Sequence, residues 1–164
     1  MNNIILCGFM GAGKTAVGKE LAKLIEYNFI DTDELIEKEQ KITIKEIFEK
    51  YGEQYFRDLE HEVCKKIADM EKTIVSTGGG LMTYQRNCDA IKKGGKVIFL
   101  DASFYVICER IGEEDTRPLF KDKVKAEKLY NERKEKYESV ADIIIDGDMT
   151  VEKTVTEILK LFSK

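Results

Sequence analysis

The segment Gly8-Phe9-Met10-Gly11-Ala12-Gly13-Lys14-Thr15 fits the pattern G-x-x-x-x-G-K-[ST], set between the apolar run Ile4-Ile5-Leu6-Cys7 and a helical periodicity. This is the setting of a phosphate-binding loop. Glycines allow tight, partly left-handed backbone, so that several N–H groups can turn toward a polyphosphate. A helix starting near Gly13 adds the positive end of its dipole, Lys14 can reach the β and γ phosphates, and the Thr15 hydroxyl can hold a magnesium ion. The loop implies a nucleotide and leaves the reaction open.

Further residues could do chemistry beside it. Asp31 and Asp33 are two apart at the end of a short apolar run, so on extended backbone both look to the same side; either is equally suited to cap a helix. Arg57 and Glu60 have the i, i+3 spacing of an ion pair on a helix face, although an arginine so placed can also be a solvated charge. Gly78-Gly79-Gly80 at a strand end is costly in backbone entropy, which favours close approach to a ligand over a bland flexible turn. Arg117 lies in the polar stretch Gly112 to Phe120, which holds the only proline and reads as a mobile lid able to bring positive charge to a transferring phosphoryl group. His61, the only histidine, has no metal-ligand spacing around it and reads as a surface residue.

These residues must be positioned by strands and helices that the hydrophobic pattern outlines. Ile4 to Cys7 suits a central strand buried on both faces, and Val17, Leu21, Leu24 and Ile25 give the following helix an apolar face. Asn28-Phe29-Ile30 reads as a second strand. From about residue 32 to 70 the pattern is helical with short breaks at Lys41 and Gly52, longer than a crossover needs, which predicts a substrate-holding insertion. Thr73 to Ser76 is a third strand, Arg86 to Lys92 a helix stopped by Gly94-Gly95, and Lys96 to Asp101 a fourth strand. Ser103 is placed to cap a helix through Arg110, the lid is expected over about residues 111–124, and Lys125 to Tyr137 is a charged helix. Ala141 to Asp146 is a fifth strand, and a helix from Thr150 to Phe162 closes the chain. Strands alternating with helices predict an α/β three-layer sandwich with a five-stranded parallel sheet and a ligand crevice at the carboxyl ends of the strands.

With 164 residues, 43% of them hydrophobic, the chain has the size and core of one domain. A net charge of -4 argues against generic binding to nucleic acid or an anionic membrane, so anionic ligands require locally placed Arg and Lys. The four cysteines form no C-x-x-C pair and read as reduced packing residues. No secretory signal or long apolar segment is apparent, so a cytoplasmic monomer is expected.

Taken together, the phosphate loop, Asp31-Thr32-Asp33, Phe56-Arg57 with Glu60, Gly78-Gly79-Gly80, Thr116-Arg117-Pro118-Leu119 and Arg133 with Tyr137 resemble shikimate kinase over nearly the whole chain. The resemblance implies a P-loop NTPase fold of the nucleoside monophosphate kinase type, strand order 2-3-1-4-5, and transfer of the ATP γ-phosphoryl group to the 3-hydroxyl of shikimate with Mg2+. By position it implies that Asp33, Lys14 and Arg117 are catalytic, and that Gly11, Ala12, Gly13, Lys14, Thr15, Ala16, Arg110 and Arg117 bind ATP, with Arg110 packed on adenine. Asp33, Arg57, Gly78, Gly79, Gly80 and Arg133 would bind shikimate, Glu60 would orient Arg57, and Thr15 and Asp31 would hold the metal, the latter through water. Phe120 and Ser76 depart from common patterns: a second Leu is frequent at the first, and an acidic residue at the second in other phosphate-loop proteins. The alternatives are a gluconate-type kinase of the same fold and a nucleotide-dependent switch, the second disfavoured by the lack of an N-K-x-D segment.

Overall fold

A computed structural model describes residues 3–112 and 122–162. Its five strands are β1 (Asn3–Cys7), β2 (Asn28–Asp31), β3 (Thr73–Ser76), β4 (Gly95–Asp101) and β5 (Ile143–Asp146). All pair in parallel, in the order β2-β3-β1-β4-β5. The helices are α1 (Lys14–Ile25), α2 (Thr32–Gln40), α3 (Ile44–Tyr51), α4 (Glu53–Ala68), α5 (Gln85–Ile91), α6 (Phe104–Ile111), α7 (Lys123–Val140) and α8 (Val151–Phe162), with a 3-10 turn at Leu81–Thr83.

The sheet order decides where a ligand can go. The crossover from β1 to β2 runs one way along the sheet and those from β2 to β3, β3 to β4 and β4 to β5 run the other, so right-handed connections put α1 on one face and α4, α5 and α7 on the opposite one. Packing of α1 on α8 and of α4 on α5 agrees. Neighbouring strands β1 and β3 therefore send their chains in opposite directions, and the crevice at their carboxyl ends is the switch point where open α/β sheets bind ligands.

All five residues of β1 are buried, as a central strand covered on both faces requires. Isoleucine, leucine and valine from β1, β3 and β4 make the middle of the core, each side chain contributing about 1.5–3 kcal/mol on burial. Edge strand β5 leaves Ile144 half open. The helical breaks fall where the pattern predicts them: Lys41 ends α2 with φ 61°, and Gly52, with φ 86°, separates α3 from α4.

Some boundaries differ. Leu24, expected on the apolar face of α1, is 54% exposed, because the buried stripe runs through Val17, Gly18, Leu21 and Ala22 and leaves Leu24 at its edge. Gly95 is not part of a helix stop but opens β4, where a Cβ would lie 2.2 Å from the Asn3 carbonyl oxygen. Ala141 and Asp142 precede β5; the Asp142 carboxylate instead accepts a hydrogen bond from the Val97 amide at 2.8 Å. Lys123 and Val124, expected in the lid, begin α7, whose N-cap is Asp122.

Candidate active site

Cys7 ends β1, and the loop that follows takes φ of 84° at Gly11 and 95° at Gly13 before α1 begins at Lys14. A side chain would be strained at both positions. The Ala12 amide donates to the Phe9 carbonyl at 3.1 Å, closing the loop around its own interior. Lys14 folds back so that its ammonium donates to the Gly8 and Phe9 carbonyls, the latter at 3.3 Å. Burial lowers its pKa to about 8, although part of the residue stays open to the cleft.

Parallel pairing of Asp31 with Ser76 sets both beside Thr15, the second residue of α1. The Thr15 hydroxyl donates to Asp31 Oδ2 at 3.2 Å and lies 3.4 Å from Ser76 Oγ. The other Asp31 oxygen accepts from the amides of Asp33 and Glu34 and caps α2. The cap and the cleft-facing carboxylate are thus one residue with its two oxygens divided between the tasks. A carboxylate and hydroxyls clustered in this way suit a hard divalent cation that keeps several waters, as magnesium does.

Asp33 stands one residue inside α2. Burial and the Asp31 charge raise its pKa to about 6, against an opposing pull from Lys14. A carboxylate so tuned accepts a proton near neutral pH.

The Gly78-Gly79-Gly80 loop leaves β3 and passes directly against three charged side chains. A Cβ on Gly78 would lie 2.6 Å from Asp33 Oδ1, one on Gly79 3.0 Å from Arg133 Nη1, and one on Gly80 2.7 Å from Arg57 Nη1. A side chain at Gly78 or Gly80 would push aside the flexible ends of Asp33 or Arg57, and one at Gly79 would crowd that of Arg133, so glycine leaves these groups where they stand. The Gly78 amide donates to the Thr32 hydroxyl at 2.9 Å, and the Thr77 amide and hydroxyl both donate to the Leu6 carbonyl, fixing the loop to α2 and β1.

Arg57, on α4, donates to Glu60 at 2.8 Å, and Glu60 is 1% exposed. Burial opposes the arginine's charge, and the hydrogen bond and field of Glu60 outweigh it, so the guanidinium pKa rises. Burial likewise lifts the Glu60 carboxyl while Arg57 holds it down; at this distance the two form an ion pair. The guanidinium lies 5.3 Å from the ring centroids of both Phe56 and Tyr84. Its Nε is buried with no hydrogen-bond partner among the described residues. Arg133, on α7, lies over the Phe9 ring of the phosphate loop at 5.8 Å.

The cleft, about 440 Å3, joins Gly11 and residues Gly13 to Ala16 of the loop to Asp31, Asp33 and the first two of the three glycines. The structure therefore gathers Gly11, Gly13, Lys14, Thr15, Ala16, Asp31, Asp33, Arg57, Gly78, Gly79, Gly80 and Arg133 around one crevice, whereas Ala12 is buried and does not line it. Arg110 reaches its rim from α6, donating to the carbonyls of Gly11 and Ala12 and to those of Gly147 and Met149. Arg117 lies outside the described residues. His61 is only half-buried rather than a plain surface residue: its Nδ1 pairs with buried Asn87 at 3.0 Å. Tyr84 and Tyr137 are contributions that sequence reasoning left without a role, although Tyr137 lies four residues beyond Arg133 on the same helix.

Three comparisons bear on this site. A family model described as shikimate kinase matches residues 10–163. A shikimate kinase of Sulfurihydrogenibium is 44% identical over 161 residues, covering 97% of this chain and 96% of the relative. Among solved structures, shikimate kinase from Acinetobacter baumannii in complex with shikimate superposes with TM-score 0.91 at 34% identity, over 99% of this chain and 93% of that one. Shikimate kinase from Aquifex aeolicus gives TM-score 0.83 at 38% identity, over 98% and 96%.

Proposed function

The chain belongs to the shikimate kinase family, and from that premise we propose how its cleft carries out the family's reaction. It is an ATP-dependent phosphotransferase that moves the γ-phosphoryl group to the 3-hydroxyl of shikimate, giving shikimate 3-phosphate and ADP on the route to chorismate.

The observation that carries the residue assignment is the bare Gly78–Gly80 backbone lying against Asp33, Arg133 and Arg57. A cyclic polyol acid offers a carboxylate for two arginines and hydroxyls for an aspartate and peptide amides. Arg57 and Arg133 grip the carboxylate, a task suited to planar guanidinium groups. Asp33 orients the 3-hydroxyl and takes its proton as the phosphoryl group arrives. The amides of Gly11 and of Gly13 through Ala16 cradle the ATP phosphates while Ala12 closes the loop, Lys14 exchanges its carbonyl partners for phosphate oxygens, and adenine rests on the exposed face of Arg110. Thr15 would hold magnesium, with Asp31 acting through water, and the ion would supply charge neutralisation for the phosphates. Arg117 reaches the phosphates from a lid between α6 and α7, and residues 32–70 form the shikimate-holding insertion of a single domain. The enzyme works as a cytoplasmic monomer, with no nucleic acid or membrane partner. None of the described helices is long and apolar enough to cross a membrane.

The test is ADP release with ATP and magnesium in parallel incubations containing shikimate, gluconate or no acceptor. Shikimate alone should support turnover. In the same assay Arg57→Ala and Arg133→Ala should each weaken shikimate binding by about 2–5 kcal/mol, and unchanged affinity in both would overturn the carboxylate assignment.

A further inference from the structure

The triple-glycine loop has its carbonyls tied, and two of its amides have no partner among the described residues. The Gly78 carbonyl accepts from the Leu81 amide at 3.1 Å, and the Gly80 carbonyl from the Thr83 amide and hydroxyl at 3.2 and 2.6 Å. The Gly79 carbonyl accepts from the phenolic hydroxyl of Tyr137. The amides of Gly79 and Gly80 have no hydrogen-bond partner among the described residues.

A trans peptide directs its carbonyl and the next residue's amide in opposite directions. The Leu81 amide therefore sets the direction of the Gly79 N–H, and Tyr137 sets that of the Gly80 N–H. Tyr137 is 2% exposed, its ring 5.3 Å from that of Phe99 on β4. A carbonyl drawn to it points into the protein, and the amide on the far side of that peptide points away from Tyr137, on a residue that is itself buried beside Arg57. Burial raises the phenol's pKa, so the hydroxyl keeps the proton it donates.

We propose that Tyr137 is a positioning residue for shikimate: by holding the Gly79 carbonyl it aims the Gly80 amide at a substrate oxygen between Arg57 and Arg133. The inference rests on the placement of shikimate against the three glycines. Tyr137 sits one helical turn beyond Arg133, so α7 sets the carboxylate grip and the amide donor from a single rigid element.

Tyr137→Phe removes the hydroxyl and keeps the ring on Phe99. The expected result is a rise in KM for shikimate of about 5- to 30-fold, the worth of one aimed hydrogen bond, with KM for ATP within about twofold of wild type. A purely structural role would instead lower thermal stability and leave shikimate KM unchanged, or shift both KM values together; either result overturns the proposal. Gly80→Ala, run alongside, tests the underlying placement. An unchanged shikimate KM in that variant removes the loop from the site and the proposal with it, whereas a raised KM there with none in Tyr137→Phe overturns the Tyr137 role alone. Should Tyr137→Phe fail to fold, amide exchange in the wild-type protein decides. Saturating shikimate should slow exchange at the Gly80 amide at least tenfold, and no slowing overturns the proposal.

Discussion

Asp33 works against the fold that holds it. Its carboxyl, ordinarily near 3.8, is raised to about 6 by burial and by Asp31. Below the ordinary value both folded and unfolded chains carry the proton and the group costs nothing. As pH rises toward 6 the unfolded chain releases its proton while the folded chain keeps it, so stability falls, and above about 6 the full penalty stands. Asp33→Asn should therefore raise stability at pH 7.5, on the order of 1 to 3 kcal/mol by urea denaturation, with the gain vanishing by about pH 4. The same change should cut kcat by about 10²-fold or more, because no proton acceptor remains. Equal stability of the two proteins at pH 7.5 would show that the carboxylate is not strained. At this scale the sequence was legible where spacing is short: Asp31 beside Asp33 and Arg57 beside Glu60 are neighbours on one segment. It was not legible for the Tyr137 contact with Gly79 or the Tyr84 ring on Arg57, since such pairs meet only after distant strands and helices have packed.

The site is assembled from element ends, so the contacts that fix those ends carry weight far from the chemistry. Asn3, fully buried at the start of β1, donates to the carbonyls of Ile67 and Met70 at 3.0 Å and accepts from the Thr73 amide at 3.1 Å. One side chain thus joins the first strand to the end of α4 and the beginning of β3. Asn3→Ala would leave the buried Thr73 amide and the half-buried Met70 carbonyl unpaired, the Ile67 carbonyl keeping the Met70 amide, and should cost about 2–4 kcal/mol, read as a lower urea midpoint. Shikimate KM should change little, because Arg57 sits near the opposite end of α4. A loss under about 1 kcal/mol would mean that water replaces the amide. Helices α2, α3 and α4 and strand β3 follow the hydrophobic periodicity closely, since amphipathic helices and a buried strand leave strong patterns. Helix α1 misleads at Leu24 because a stripe of four buried residues has an ambiguous margin.

Over the whole molecule, alternation of strands and helices gives a parallel α/β sheet from the sequence, but the order β2-β3-β1-β4-β5 depends on long-range pairing and came only through family resemblance. The chain is acidic, with a net charge of -4, and yet gathers Lys14, Arg57 and Arg133 at one crevice for two anionic substrates. Arg117 adds to that charge only if its segment reaches the cleft, so Arg117→Ala should depress kcat by about 10²-fold or more while leaving shikimate KM within a few-fold. Initial-rate kinetics with each substrate varied would check this, and an unchanged kcat would remove Arg117 from the mechanism.

The glycines at the cleft also bear on inhibitor resistance. A compound resting on the Gly78–Gly80 backbone meets main chain and the ends of Asp33, Arg133 and Arg57, and an added side chain at Gly78 or Gly80 would displace the end of Asp33 or Arg57. Escape by substitution at the contact surface would damage the enzyme before it excluded the compound. Selection under such an inhibitor should therefore return changes in expression or uptake, and a resistant enzyme with wild-type kcat/KM for shikimate and a side chain at Gly78 or Gly80 would contradict this.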